Sequence, residues 1–393
     1  MTPTTLTFCI DLLQRVLQEG LPADQLLERA FRAHPHFGQR ERSFIRDLFY
    51  DTLRHLRLLG EEPFIAHMES IVRGAHHKHH VEAWQNLSLS CAQRVSLPDW
   101  IWEDIQTQLG ETEALQLGVA LNQPAALDIR VNRLKCKRDT LLESFQQSGI
   151  ACRPTPFSPE GIRLATRLDL NCLESYRQGW FEVQDEGSQL ISHLMAVKPG
   201  WRVVDLCSGG GGKSLHLAAL MHNQGAILAC DTDGNRLQRQ KPRLRRAGAR
   251  MIQTQLLRHE RDSVLRSWSG KADGVLVDAP CSGTGILRRH PEIKWRLLPE
   301  EIEALHERQC ALLEAGAALV GKGGHLVYAT CSLLKRENVA VVEWFLSQNR
   351  GFRLISAGKI LEKFGLPGDS LFMMLYPHQS GTDGFFAALF ERI

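Results

Sequence analysis

From Pro199 to the end of the chain, short apolar runs rich in β-branched residues recur with helical segments between them, and that alternation leaves few folds open. Val203-Val204-Asp205-Leu206, Ala226-Ile227-Leu228-Ala229-Cys230, Val275-Leu276-Val277 and His325-Leu326-Val327-Tyr328 read as strands, and Phe385-Phe386-Ala387-Ala388-Leu389-Phe390 as one more. Strands joined through helices pair in parallel and are covered on both faces, which is why they are apolar throughout rather than alternating. Residues 199–393 therefore read as an α/β domain with a mostly parallel sheet.

The first part of the chain has a different texture. Phe44, Ile45, Leu48, Phe49, Leu53 and Leu56 recur at helical spacing, with Arg42, Arg46, Asp47, Arg54 and Arg57 between them. A second helical stretch is expected from Trp100 to Leu121, broken at Asn122-Gln123-Pro124. Leu127 to Val131 alternates like a strand, and Asp139 to Gln147 reads as a helix stopped by Ser148-Gly149. The expected division is an all-α domain over 1–120, a small α+β linker domain over 121–198, and the α/β domain over 199–393. A chain of 393 residues, 43% hydrophobic and 23% charged, is long enough for such modules and has the balance of an ordinary globular protein. No apolar run is long enough to span a membrane. Asp11, Arg15 and Glu19 interrupt the first apolar stretch, which speaks against a signal peptide.

Net charge is only +3, but cations cluster: Arg236, Arg239, Lys241, Arg243, Arg245, Arg246, Arg250, Arg258, Arg261 and Arg266, opposed locally by Glu260 and Asp262. Such a run is either a solvated helix face or a footprint for a polyanion. The ten cysteines show no C-x-x-C and no zinc-type spacing, so neither a disulfide scaffold nor a metal centre is expected, and a reducing cytoplasm is the natural setting. His76-His77-Lys78-His79-His80 reads as an exposed polar helix junction rather than a metal site.

Cys207-Ser208-Gly209-Gly210-Gly211-Gly212-Lys213 follows the first of these strands and opens a helix. Glycines at such a turn let backbone approach a ligand and aim helix N-terminal amides at it. A phosphate-binding loop would need glycine where Cys207 stands, so that reading fails. Asp231, at the tip of the next strand, is placed to meet ribose hydroxyls. Together they suit a nucleoside-type cofactor, a dinucleotide or S-adenosylmethionine.

Asp278-Ala279-Pro280-Cys281 and Tyr328-Ala329-Thr330-Cys331 each follow a strand, which puts two thiols at the carboxyl edge where open α/β sheets bind ligands. One chemistry uses an adenosyl cofactor and two thiols. Carbon 5 of cytosine becomes nucleophilic once a thiolate adds to carbon 6, and the thiol is eliminated after methyl transfer. Lys213 and Arg288-Arg289 could supply the positive field a thiolate needs, and Asp278 could hydrogen-bond ring nitrogen 3.

These strings resemble the RsmB/Nop2/Sun family of RNA cytosine-5 methyltransferases. The resemblance rests on Asp278 to Gly285 continuing as Arg288-Arg289-His290-Pro291-Glu292-Ile293-Lys294-Trp295, on Thr330-Cys331-Ser332 with Glu337-Asn338, and on Asp383-Gly384-Phe385-Phe386. Arg130-Val131-Asn132 and Val183 to Ser188 are similar to its preceding segment, and Arg42 to Leu59 looks like a NusB-type RNA-binding domain of the bacterial ribosomal branch. The resemblance implies a Rossmann-like class I methyltransferase domain with a seven-stranded sheet, S-adenosylmethionine as cofactor and small-subunit ribosomal RNA as partner, acted on by a cytoplasmic monomer. It further implies Cys331 as nucleophile, Cys281 in product release, and Asp278 between cofactor and base. Cys207, Ser208, Gly209, Gly210, Gly211, Gly212, Lys213, Asp231, Arg236 and Asp278 then form the cofactor site.

Two departures stand out. Ser208-Gly209-Gly210 replaces the family's Ala-Ala-Pro, exchanging a stiff turn for a flexible one. No Asp falls at the expected adenine-contacting position between 255 and 262, where Glu260 and Asp262 would need a shifted loop. An RNA-binding assembly factor that keeps the fold without catalysis is the alternative these departures raise.

Overall fold

The computed structural model describes residues 2–60, 64–80, 85–86, 88–166 and 168–393. They fall into two compact units, Met1–Ala125 with Ser282–Glu301, and Ala126–Cys281 with Ile302–Ile393.

The first unit is helical. Helices Pro3–Glu19, Ala23–Ala33, Gln39–Leu59 and Met68–His76 bury Leu12, Leu13, Leu26, Phe49, Leu53 and Ile71 in one core. The stretch expected as one helix from Trp100 is two, Asp99–Leu109 and Glu111–Leu121, separated at Gly110, whose φ of +77° a helix cannot continue through. Gln39–Leu59 is kinked at His55, whose φ/ψ of −118°/18° breaks the hydrogen-bond ladder. The freed carbonyls are met by the string that follows Cys281 in sequence. Trp295 Nε1 donates to Leu53 O at 2.6 Å, and Lys294 Nζ donates to Arg54 O, Ser96 O and Asn122 Oδ1 at 2.7–2.9 Å. Glu292 accepts from Ala23 N at 3.1 Å, at the start of a helix whose own N-cap residue, Pro22, has no side-chain acceptor. Much of the Arg288–Trp295 string thus serves this unit as buried glue.

The second unit holds two sheets. In the smaller, β1 (Leu127–Val131), β2 (Cys152–Pro154), β3 (Gly161–Leu164) and β4 (Phe181–Val183) pair antiparallel in the order β2-β3-β1-β4. The larger contains β5 (Arg202–Asp205), β6 (Ala226–Asp231), β7 (Ile252–Leu256), β8 (Ala272–Asp278), β9 (Val320–Thr330), β10 (Phe352–Ile355), β11 (Met373–Leu375) and β12 (Phe385–Arg392). Seven of them run in the order β10-β12-β9-β8-β5-β6-β7, and β11 adds to β12. Pairing is parallel from β7 through β9, and β12 enters antiparallel between β9 and β10. The expected seven-stranded, mostly parallel sheet is present, with β7, β10 and β11 beyond the strands read from sequence. Val204, Val275, Val277, Leu326, Tyr328, Phe386 and Phe390 pack one face, and Val203, Leu276, Val327 and Leu389 the other. Among the described residues no helix is long and apolar enough to cross a membrane.

Candidate active site

Parallel pairing puts the carboxyl ends of β5, β6, β8 and β9 along one edge, and the sequence places its polar groups there. β5 ends at Asp205, which is buried and accepts from Ser214 Oγ at 2.5 Å. Burial pushes its pKa up to about 7, against the pull of the Ser214 hydrogen bond.

The glycine loop follows. Ser208 N bonds Cys230 O at 2.7 Å, and Gly209 N bonds Asp231 Oδ2 at 2.8 Å. Gly209 and Gly211 have φ of +53° and +80°, left-handed conformations that favour glycine, and a Cβ at Gly209 would meet nothing within 4 Å. Helix Gly212–Leu220 begins without a side-chain cap, so its first amides are available to a ligand. Open space beside Gly209, uncapped amides and the Asp231 carboxylate fit a small ligand with an anionic group and a ribose. The Cys207 sulfur is poorly disposed to react, since burial and then the carboxylate of Asp205 push its thiol well above the usual range.

Three side chains grip this loop from outside. Gln240 Nε2 donates to Ser208 Oγ at 2.8 Å and to Gly209 O at 2.6 Å. Arg243, held by Glu182 of β4 at 2.9 Å, donates to Gly210 O. Arg130 donates to Gly212 O at 2.8 Å. Sequence reasoning did not single out Gln240 or give Arg243 and Arg130 this task. Arg236, expected at the cofactor, is 61% exposed with Asp233 at 3.5 Å.

At β8 and β9 the two thiols meet: Cys281 Sγ and Cys331 Sγ are 3.4 Å apart. Lys213 Nζ donates to Asp278 Oδ2 at 2.7 Å. Burial disfavours the Lys213 charge, but Asp278 more than offsets it and the Cys331 sulfur adds to the effect, so the ammonium is held above its ordinary pKa. Arg288 and Arg289 fall in the helical unit, where Arg288 bonds Pro124 O at 3.2 Å.

The turns that carry the cysteines are clamped. Thr330 Oγ1 donates to Asn338 Oδ1 at 2.6 Å, Asn338 Nδ2 to Ser332 O at 2.9 Å, and Tyr328 Oη to Glu337 O at 2.6 Å. Gln309, fully buried, donates to both Pro280 O (3.0 Å) and Glu337 Oε1 (2.9 Å), linking the two turns. Its place midway along helix Pro299–Leu319 gives no local signal.

After β7, Asp262 is engaged locally. It caps the turn Ser263–Trp268, with Arg258 N and Val264 N on its two oxygens, and these bonds pull its pKa down to about 2. The basic run is also divided: Arg243 and Arg246 pair with Glu182, Arg258 with Asp262, and Arg261 with Glu314. In the helical unit, His80 stacks on His55 at 4.1 Å with Asp51 at 3.6 Å, so the histidine tract ends half-buried rather than wholly exposed.

The sheet order, the glycine loop at the first parallel strand and the acidic tip of the second are those of a class I methyltransferase. A family model for 16S rRNA methyltransferase RsmB/F matches residues 192–391, and one for the ferredoxin-like domain of RsmF/B-like methyltransferases matches residues 97–171. The ribosomal RNA small subunit methyltransferase B of Pseudomonas syringae pv. tomato is 35% identical over 306 residues, spanning 76% of this chain and 66% of its own length. That of Pseudomonas putida is 32% identical over 394 residues, spanning 97% and 82%. The crystal structure of PH0851 superposes with a TM-score of 0.82 at 24% identity, covering 100% of this chain and 99% of that one. The chain belongs to the RsmB/F family of S-adenosylmethionine-dependent ribosomal RNA cytosine-5 methyltransferases.

Proposed function

We propose that this chain methylates carbon 5 of a cytosine in small-subunit ribosomal RNA, as a cytoplasmic monomer, with Cys331 as nucleophile. The observation that carries the reading is the pair of sulfurs 3.4 Å apart at the ends of adjacent strands, beside the Lys213–Asp278 ion pair. All ten cysteines are free, which suits a reducing compartment.

The cofactor, when bound on the glycine loop, supplies an electrophilic methyl group. Asp231 would hold the ribose hydroxyls on its remaining lone pairs, and the first amides of helix Gly212–Leu220 would meet the amino-acid carboxylate. Lys213 stabilises the Cys331 thiolate, which adds to carbon 6 of the base and raises electron density at carbon 5. Asp278 accepts from Lys213, so the donor that this pair offers to ring nitrogen 3 is the Lys213 ammonium. Carbon 5 would then take the methyl group as its bond to the cofactor's sulfonium sulfur breaks, leaving a neutral thioether. Cys281, as its thiolate, takes the proton from carbon 5 and becomes the thiol; the electron pair of that bond re-forms the carbon 5–carbon 6 double bond, and the bond from carbon 6 to sulfur breaks to release the Cys331 thiolate.

The test is incubation with unmodified small-subunit ribosomal RNA and S-adenosylmethionine, followed by bisulfite mapping. One newly protected cytosine is expected, and Cys281→Ala is expected to give a slow-migrating protein–RNA band on a denaturing gel. No protected cytosine, together with no S-adenosylmethionine binding at millimolar concentration, would instead favour a non-catalytic assembly factor.

A further inference from the structure

The arginines of the basic run that pair with acids leave a different set free to act. Lys135, Lys241, Arg245 and Arg250 surround a groove of about 710 Å³ floored by Leu244, Gly248, Ala249 and Ile252, and among the described residues no acidic side chain lines it. All four cations are exposed, and none is in an ion pair among the described residues. They come from separate places. Lys135 follows β1, Lys241 and Arg245 lie on helix Gly234–Ala247, and Arg250 precedes β7. Lys135 is led there by a close approach: a Cβ at Gly248 would lie 3.1 Å from its Cε, and Gly248 itself has φ of +71°.

Simple solvation does not account for this set. Lys241 and Arg245 are i,i+4 neighbours of like charge, an arrangement that destabilises a helix. The opposite side of the same helix avoids that cost by pairing Arg243 and Arg246 with Glu182. Only Arg245, in the last turn, gains from the helix dipole.

We infer that this groove binds the sugar–phosphate backbone of the RNA substrate at a place remote from the target base, an inference that rests on the RNA-methyltransferase reading above. The groove lies at the amino end of β7, whereas Asp231, Asp278, Cys281 and Cys331 lie at the carboxyl ends of strands parallel to it. The five residues of β7 span four rises between those edges, roughly 13 Å at 3.3 Å per residue. The substrate must therefore extend well beyond the modified nucleotide, and four phosphate contacts would hold it there without reading sequence.

The test compares wild type with K241E/R245E, and with K198E/K322E as a control of equal charge change on exposed lysines outside the groove. RNA binding is measured against salt with full small-subunit ribosomal RNA and with a short oligonucleotide carrying the target cytosine. The groove variant should lose at least tenfold in affinity for the long RNA near 0.15 M salt, and its log–log salt slope should fall by about 1.5 to 2. Its S-adenosylmethionine affinity and its rate on the short oligonucleotide should match wild type, and the control pair should retain both long-RNA affinity and slope. Unchanged affinity and slope in K241E/R245E, or an equal loss in the control, would overturn the inference. A wild-type protein that binds long RNA through this groove yet methylates nothing would leave the groove standing and remove the catalytic reading.

Discussion

Cys281 Sγ stands 3.4 Å from Cys331 Sγ, each at the first turn past one of two hydrogen-bonded parallel strands. Adjacent strands are about 4.8 Å apart, a spacing that lets side chains leaving the same edge reach each other. A disulfide needs its sulfurs about 2.05 Å apart and its Cα atoms under about 7 Å. Diamide, which takes two electrons and two protons from a thiol pair, should therefore abolish methylation, and dithiothreitol should restore it. Peptide mapping of the oxidised protein should show Cys281 linked to Cys331. Loss of activity without that link would show that the turns do not hold the sulfurs together.

Gln309 joins the two cysteine turns through one amide. Gln309→Ala leaves buried acceptors on Pro280 and Glu337 without their donor, at a cost of about 1–3 kcal/mol. Thermal unfolding should fall accordingly, and kcat should drop while KM for S-adenosylmethionine holds. An unchanged kcat in a destabilised variant would reduce Gln309 to a packing role.

The flexible loop Ser208-Gly209-Gly210 is stiffened by Gln240 and Arg243 instead of by a proline. Gln240→Ala should raise the S-adenosylmethionine Kd by about tenfold, equivalent to about 1.4 kcal/mol, with kcat at saturation nearly unchanged. Calorimetry checks the first and steady-state kinetics the second. A Kd equal to wild type would mean the loop keeps its shape unaided.

His55 is buried in the helical unit, and burial, followed by the charge of His80, brings its pKa down to about 3. The unfolded chain takes up that proton near pH 6.5 while the fold refuses it. Stability of this unit should therefore fall by about 1.4 kcal/mol for each pH unit below 6.5, until the folded pKa is reached. Burial lowers His80 too, and the sign is the same. Hydrogen exchange across Gln39–Leu59 between pH 7 and 5 reads the effect, and His55→Gln should flatten it. Equal slopes in the two proteins would exclude His55 as the source.

The sequence was most legible where both faces of an element are buried. β5, β6, β8, β9 and β12 announce themselves as apolar runs because most of each is buried on both faces. β7 and β10 lie at the ends of the sheet and carry polar residues such as Gln253, Gln255 and Arg353, so their pattern resembles a loop. The two cysteines and the glycine loop were legible from local chemistry. Gln240, Gln309 and Arg130 were not, because a polar side chain aimed inward reads like a solvated one until its partner is known. For the same reason the basic run looked continuous: Glu182 and Glu314, which neutralise part of it, lie outside it in sequence. The Arg288–Trp295 string was read beside Cys281, whereas Lys294 and Trp295 bond the kinked helix Gln39–Leu59.

The central claim is that the sulfur of Cys331 bonds carbon 6 of the target base. RNA in which that cytosine carries fluorine at carbon 5 tests it most directly, since after methyl transfer there is no proton to remove and the adduct persists. Mass spectrometry of the trapped complex should place the nucleotide on Cys331, with none on the other cysteines and no complex from Cys331→Ala. A nucleotide attached to Cys281, or a complex that survives Cys331→Ala, would contradict the account.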